Sequence, residues 1–138
     1  MNGFDGKHEQ GFALDIYEPS SDSWSTRTWN VESGPSPRSV STLLAVQVDG
    51  KDMLVTMFGE SDPSNPDHMG AGCFLDDALA YDIAEDTWSK VVATSNESFP
   101  RPRGWFAADI SSGRRSIVVQ GGLAEDNTRI GDVWVLAF

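Results

Sequence analysis

The sequence contains two similar stretches, Tyr17-Glu-Pro-Ser-Ser-Asp-Ser-Trp24 and Tyr81-Asp-Ile-Ala-Glu-Asp-Thr-Trp88, which begin 64 residues apart. In both, a tryptophan lies seven positions after a tyrosine, and an acidic residue follows the tyrosine directly. A second pair of similar stretches is Pro37-Arg38-Ser39 and Pro102-Arg103-Gly104. Self-similarity at a period of tens of residues is typical of proteins built from repeated structural units. We therefore expect a repeat protein.

Short segments rich in Val, Ile, Leu, Phe and Trp alternate with clusters of Gly, Pro, Ser and Asp along the chain. This pattern predicts an all-β fold made of short strands. Two nearly continuous apolar runs, Met53 to Phe58 and Ser116 to Gln120, predict strands that are covered on both faces. Trp24, Trp88 and Trp134 recur at similar places and are expected to lie in the core.

One complete unit can be written in strand order. Its four strands are predicted from Ser39 to Val48, Asp52 to Phe58, Ala78 to Asp82 and Thr87 to Val91. The dipeptide Asp49-Gly50 predicts a tight hairpin between the first two.

The units on either side are partial. The earlier one contains only a third and a fourth strand, predicted from Phe12 to Tyr17 and from Trp24 to Trp29, after a ragged chain start. The later one contains three strands, predicted from Gly104 to Ser111, Ser116 to Gln120 and Asp132 to Leu136. The predicted division is a partial unit over 1–34, a complete unit over 35–95 with an inserted loop at 59–77, and a final unit over 96–138.

The order of these features resembles the kelch repeat, which forms one four-stranded blade of a β-propeller. The shared features are glycine at the end of the second strand, an aromatic residue in the third strand and a tryptophan seven residues after the tyrosine. The Gly-Gly pair typical of the family is present at Gly121-Gly122, whereas Gly59-Glu60 stands at the earlier place. The resemblance implies a kelch-type β-propeller fragment of about two and a half blades.

An open set of blades leaves apolar sheet faces uncovered, because each blade buries its faces only against its neighbours. We therefore expect one of three situations. The chain is a piece of a longer propeller that supplies the missing blades, a truncated remnant without activity of its own, or a unit that completes a ring by self-association.

Composition limits the partners. The net charge of −11 and the isoelectric point near 4.3 disfavour nucleic acid and anionic membrane surfaces as partners. No apolar segment approaches the roughly 20 residues of a membrane helix. A single cysteine, Cys73, and the absence of a leader pattern after Met1 predict a cytoplasmic protein.

The inserted loop carries the clearest chemical signal. It contains His68, one of only two histidines, between Asp62 and Asp67 on one side and Asp76 and Asp77 on the other. Imidazole together with carboxylates suits a ferrous ion or a similar divalent metal, and long loops on rigid scaffolds often carry function. The alternative is a solvated turn, because Asp, Pro, Ser and Asn are ordinary turn formers. Asp76 and Asp77 are interpreted as solvated turn ends.

The same loop is similar to that of the kelch proteins called nitrile-specifier and epithiospecifier proteins, in which Glu, Asp and His bind iron(II). Glu60 and His68 are eight residues apart, as in that family, but Ser64 stands at the place of the aspartate. The resemblance thus implies Fe(II) held by Glu60, His68 and a third ligand, Asp62 or else Asp67. It also implies a specifier-type or lyase-like enzyme that acts on or near a small sulfur-containing or other secondary metabolite.

Arg38 and Arg103 lie at equivalent places before two inner strands. One interpretation is that they bind a sulfate or similar oxyanion of the substrate, with Trp105 lining the same pocket, because a guanidinium group suits an oxyanion. The other is that they brace neighbouring units through a salt bridge or carbonyl contacts. The alternative function is a non-catalytic kelch module that binds another protein, since propellers host both.

Overall fold

The computed structural model describes residues 1–61, 72–94 and 99–138. Within these ranges the chain forms β-strands and turns and contains no helix, and every strand pair is antiparallel. The predicted all-β fold is therefore confirmed. The described residues also contain no helix long and apolar enough to cross a membrane.

The strands are numbered in chain order. They are β1 (Gly3–Phe4), β2 (Glu9–Gln10), β3 (Ala13–Glu18), β4 (Ser23–Thr28), β5 (Thr42–Val48), β6 (Lys51–Met57), β7 (Glu60–Ser61), β8 (Cys73–Phe74), β9 (Ala78–Asp82), β10 (Thr87–Lys90), β11 (Ala107–Ile110), β12 (Ser116–Leu123) and β13 (Arg129–Ala137).

The central sheet has four strands in the order β10-β9-β6-β5, so it is a simple meander. Its strands confirm the four predicted for the complete unit to within a few residues. β5 and β6 are joined by Asp49 and Gly50, whose φ angles are 49° and 80°. Positive φ at both turn residues matches the twist of the two strands, which is why Asp-Gly is favoured in such hairpins.

Two smaller sheets flank the central one in sequence. β3 and β4 form a two-stranded sheet, in which Tyr17 pairs with Trp24. β11, β12 and β13 form a three-stranded sheet, in which β12 and β13 extend beyond their predicted bounds through a register shift between Gln120 and Gly122. The pairs β1-β2 and β7-β8 form two further short hairpin sheets. The start of the chain is thus ordered into a hairpin, contrary to the expectation of a ragged start.

The main core lies between the central sheet and the three-stranded sheet. Its fully buried members are apolar residues from both sheets, namely Val46, Val55, Met57, Phe58, Ala78, Ile117 and Val119. Phe58 is at the centre of the aromatic contacts, with ring centroids 5.9 Å from Phe99 and 5.5 Å from Phe106. The central sheet contacts the first sheet through Trp29 and Trp88, whose ring centroids are 5.3 Å apart.

Burial departs from the sequence expectations at the outer sheets. Val55, Thr56 and Met57 of β6 are all buried, as predicted for a strand covered on both faces. In β12, however, Val118 is 37% exposed while its neighbours are buried, so only one face of that strand is covered. Trp24 is 71% exposed, so its expected core position is wrong. The reason is the same in both cases, because no described part of the chain packs against these outer faces.

Replacing Phe58 with alanine should lower the free energy of unfolding by about 3–5 kcal/mol, because a fully buried ring is lost from the centre of the core. Val92 is 73% exposed, so Val92→Ala should change the same quantity by less than about 0.5 kcal/mol. Urea denaturation followed by tryptophan fluorescence measures both values. Equal effects of the two substitutions would contradict this core.

Candidate functional site

Glu60 lies at the base of the inserted loop, in the short strand β7. It is only 5% exposed, although it carries a carboxylate. Its Oε1 accepts a hydrogen bond of 2.6 Å from the backbone N–H of Gly72, the residue directly before β8. In the ladder its backbone faces Phe74 of β8 and bridges to Ser39. A buried carboxylate at the base of the loop requires such a donor, because burying an unpaired charge is costly.

The position of Glu60 has an apolar counterpart in the three-stranded sheet. The backbone of Glu60 exchanges two hydrogen bonds with Ser39, and the backbone of Leu123 exchanges two with Gly104 in the same way. Leu123 is also buried, with 9% of its surface exposed. A buried acidic side chain at the start of β7 therefore stands where β12 has leucine. By the same contacts, Phe58-Gly59 rather than Gly59-Glu60 corresponds to Gly121-Gly122.

Phe74, which is next to Glu60, and Trp105 form an aromatic surface that we call the aromatic shelf. Phe74, which pairs with Glu60, makes an edge contact with Trp105 at a centroid distance of 5.9 Å. Phe74 is buried, whereas Trp105 is 49% exposed. Trp105 has a positive φ of 50°, and Val40 at the equivalent place has 45°. Positive φ is unusual for bulky residues, and its occurrence at both places assigns it to the geometry of the repeat rather than to a single site.

Arg38 is fully buried and is surrounded by acceptors. Its Nη1 and Nη2 donate to the two carboxylate oxygens of Asp77 at 2.6 and 3.0 Å. The remaining donors bind the carbonyl oxygens of Ser36 and Phe58 and the hydroxyl of Ser36. All five N–H groups of a guanidinium are thereby used. Asp77 is thus an ion-pair partner and not a solvated turn end.

Arg103 repeats this arrangement in the next sheet. Its Nη1 and Nη2 lie 2.6 and 3.0 Å from the oxygens of Asp132, and Nη1 also donates to the carbonyl of Gly121. Its guanidinium carbon lies 5.9 Å from the ring centroid of Phe58 in the central sheet. Arg103 thus connects two sheets, and an oxyanion ligand would have to replace Asp132 as its partner.

The other predicted metal ligands, Asp62, Ser64, Asp67 and His68, lie outside the described residues. Among residues 1–61, 72–94 and 99–138, no three side chains of His, Cys, Asp or Glu form a group suited to a metal ion. Of the predicted ligand set, the structure therefore places Glu60 alone. Phe74 is paired with Glu60 and is in ring contact with Trp105, and the side chains of Arg38 and Arg103 are held in ion pairs with Asp77 and Asp132.

A separate cleft of about 250 Å³ lies between the first and central sheets. Its lining includes Arg27, Trp29, Tyr81, Asp86 and Trp88. Nε of Arg27 lies 3.3 Å from a carboxylate oxygen of Asp86, and the hydroxyl of Tyr81 donates to the same carboxylate. Of the predicted site residues that the structure describes, namely Arg38, Glu60, Arg103 and Trp105, none is among the residues that line this cleft.

No known protein-family model matches the sequence. Sequence reasoning missed Gly72 and Phe74 as neighbours of Glu60, and it missed Asp77 and Asp132 as partners of the arginines. One signal was present, because Asp77 and Asp132 both stand at or just before the predicted third strand of their unit, although they follow their arginines by 39 and 29 residues. No comparable signal linked Gly72 to Glu60.

The pKa of the Asp132 carboxyl is lowered to about 2, chiefly because Arg103 donates hydrogen bonds to it. A lowered pKa contributes stability that is present above the usual value of 3.8 and is lost as the pH falls toward 2. Carbon-detected NMR titration of Asp132 should therefore give a midpoint near 2. In Arg103→Lys, which keeps the charge and loses the paired geometry, the midpoint should rise toward 3.8. An unchanged midpoint would contradict the assigned cause.

Proposed function

We propose that the chain forms about two and a half blades of a kelch-type β-propeller and that its inserted loop holds a divalent metal, Fe(II), beside Glu60. The four-stranded meander and the repeated Arg-Asp pairs support the repeat architecture, since both sheets use the same contact at the same place. The buried carboxylate of Glu60 carries the functional part of the proposal. A buried charge at a position where the next sheet has leucine needs a counter-charge or a strong donor set.

The residue types of the predicted ligand set suit such an ion. A hard carboxylate oxygen is a suitable ligand for Fe(II), and imidazole completes a common donor set. Glu60 and His68 would hold the metal, with Asp62 or Asp67 as the third ligand. When bound, Fe(II) would supply a Lewis-acidic centre with affinity for sulfur.

We propose that the substrate contacts the aromatic shelf of Phe74 and Trp105. Trp105 is half exposed and packs on the buried ring of Phe74, so its indole is held in place while one side stays open. An apolar group of a small sulfur-containing metabolite would contact this surface. Arg38 and Arg103 are already paired with Asp77 and Asp132. We therefore propose that they stabilise the fold and do not bind the substrate.

Glu60→Ala should reduce the affinity for Fe(II) by about tenfold or more, because a buried ligand to the metal is lost. Glu60→Gln should have a similar effect on affinity while it keeps an oxygen acceptor for the N–H of Gly72. Glu85 is exposed in a turn, so Glu85→Gln removes the same charge without touching the site. Anaerobic metal analysis and calorimetric titration with Fe(II) measure the three variants.

Two results would refute the metal proposal. One is a purified, folded chain that binds no Fe(II) in stoichiometric amount. The other is binding that is equal in Glu60→Ala, Glu60→Gln and Glu85→Gln, which would mean that the metal is held elsewhere.

A protein-binding function is the second candidate, because the three-stranded sheet presents an apolar outer face. Val118, Val133 and Val135 on this face are 37%, 60% and 63% exposed. Exposed contiguous apolar surface often marks a contact with another protein. The occupant would be the missing blades of a longer propeller, a second copy of the chain or a different protein.

Replacing Val133 and Val135 together with threonine should weaken any such association, because threonine keeps the strand preference and removes apolar surface. Sedimentation equilibrium of the double variant and of the unaltered chain gives the comparison. The expected result is a lower average mass for the variant at equal concentration, with no effect of a chelator. An unaltered chain that stays monomeric at high concentration would exclude a second copy of the chain as the occupant of this face.

A further inference from the structure

We infer that Gly72 positions the carboxylate of Glu60 and that the lack of a side chain at residue 72 is required for this role. The N–H of Gly72 is the donor to Oε1 of Glu60, and both residues are buried. The carboxylate of Glu60 is thereby fixed by the backbone of the chain segment that returns from the inserted loop. The relevance to a metal rests on the proposed function, whereas the positioning itself does not.

The steric constraint at Gly72 concerns only the carboxylate end of Glu60, which is the group that an added side chain would displace. A Cβ added to Gly72 would overlap Oε1 of Glu60 and would lie 2.9 Å from its Cδ and 3.0 Å from its Cγ. Gly59, in contrast, has a positive φ of 97°, which is a backbone reason for glycine. Gly72 is not among the glycines with positive φ. Space beside the carboxylate, and not backbone conformation, therefore explains the glycine at residue 72.

The contact joins the two ends of the inserted loop. Glu60 is the first residue of β7, and Gly72 directly precedes β8. A hydrogen bond to a ligating carboxylate restricts its rotamers and orients its free oxygen, and loss of such a bond typically lowers metal affinity by about 10–100-fold. Gly72 is thus a positioning residue for the same carboxylate that the proposed function assigns to the metal.

The first test uses Gly72→Ala, with Gly131→Ala as the matched control. Gly131 has no atom within 4 Å of an added Cβ and no positive φ. Gly72→Ala should weaken the binding of Co(II), an air-stable substitute for Fe(II), by about 10–100-fold in an absorption titration. Gly131→Ala should leave it unchanged. A folded Gly72→Ala chain with undiminished Co(II) affinity overturns the inference.

The second test needs no metal. Gly72→Ala should lower the Tm of the chain in the Glu60 background and lower it much less in the Glu60→Ala background, since the clashing carboxylate is then absent. Equal shifts in both backgrounds overturn the inference. Coupled shifts together with no binding of Co(II) or Fe(II) by the unaltered chain overturn the proposed function alone and leave the role of Gly72 in place.

A third test, by amide hydrogen exchange, applies if Gly72→Ala fails to fold. The exchange rate of the Gly72 amide hydrogen should rise in Glu60→Ala, because its acceptor is lost. It should stay close to that of the unaltered chain in Glu60→Gln, because the side-chain oxygen remains. A Gly72 amide that exchanges equally in all three chains overturns the inference.

Discussion

The guanidinium groups of Arg38 and Arg103 carry full charges in the interior, where an unpaired ion is penalised by several kcal/mol. Each is tolerated because a carboxylate, Asp77 or Asp132, takes up two of its donors and backbone carbonyls take up others. Each arginine lies just before the first strand of its unit. Its side chain binds the backbone carbonyl at the end of the second strand, which is that of Phe58 or Gly121. It also binds the aspartate before or within the third strand, which is Asp77 or Asp132. Removing one partner would leave a buried charge unpaired, so the contact helps to hold these segments together.

The backbones of the same two arginines also contact earlier segments of the chain. The carbonyl of Arg38 accepts a hydrogen bond from Gly3, and the carbonyl of Arg103 accepts one from Gly59. Each arginine thus pairs within its own sheet through its side chain and contacts the preceding hairpin through its backbone. This double use explains why the Pro-Arg stretches recur in the sequence. Because both arginines are paired, neither is available as a free cation to bind an anionic ligand. The net charge of the chain is −11.

The sequence predicted the strands far better than their burial. β5 and β6 were predictable because Asp49-Gly50 fixes their hairpin and an apolar run fills β6, and both are local properties. The pairs β1-β2 and β7-β8 have two residues per strand, too few to show any periodicity. Burial depends on neighbouring sheets, which is why Trp88 is half-buried while Trp24, its counterpart in the repeat, is mostly exposed. The site was predictable only as far as Glu60, since the contact with Gly72 arises from the closing of a hairpin across the inserted loop.

The departure from the repeat at Glu60 carries more weight than its spacing from His68. Spacing in a turn-rich loop arises easily by chance, because Asp, Pro and Ser are common there. A buried glutamate in place of leucine is different, because burial of a carboxylate is unfavourable unless something compensates for it. The hydrogen bond from the N–H of Gly72 offsets part of the cost of burying this carboxylate. Residue 72 is a glycine although its φ angle is not positive. Among the described residues, the glutamate at residue 60 and the glycine at residue 72 are thus linked by one contact, and this link is the reason to propose a role for the carboxylate.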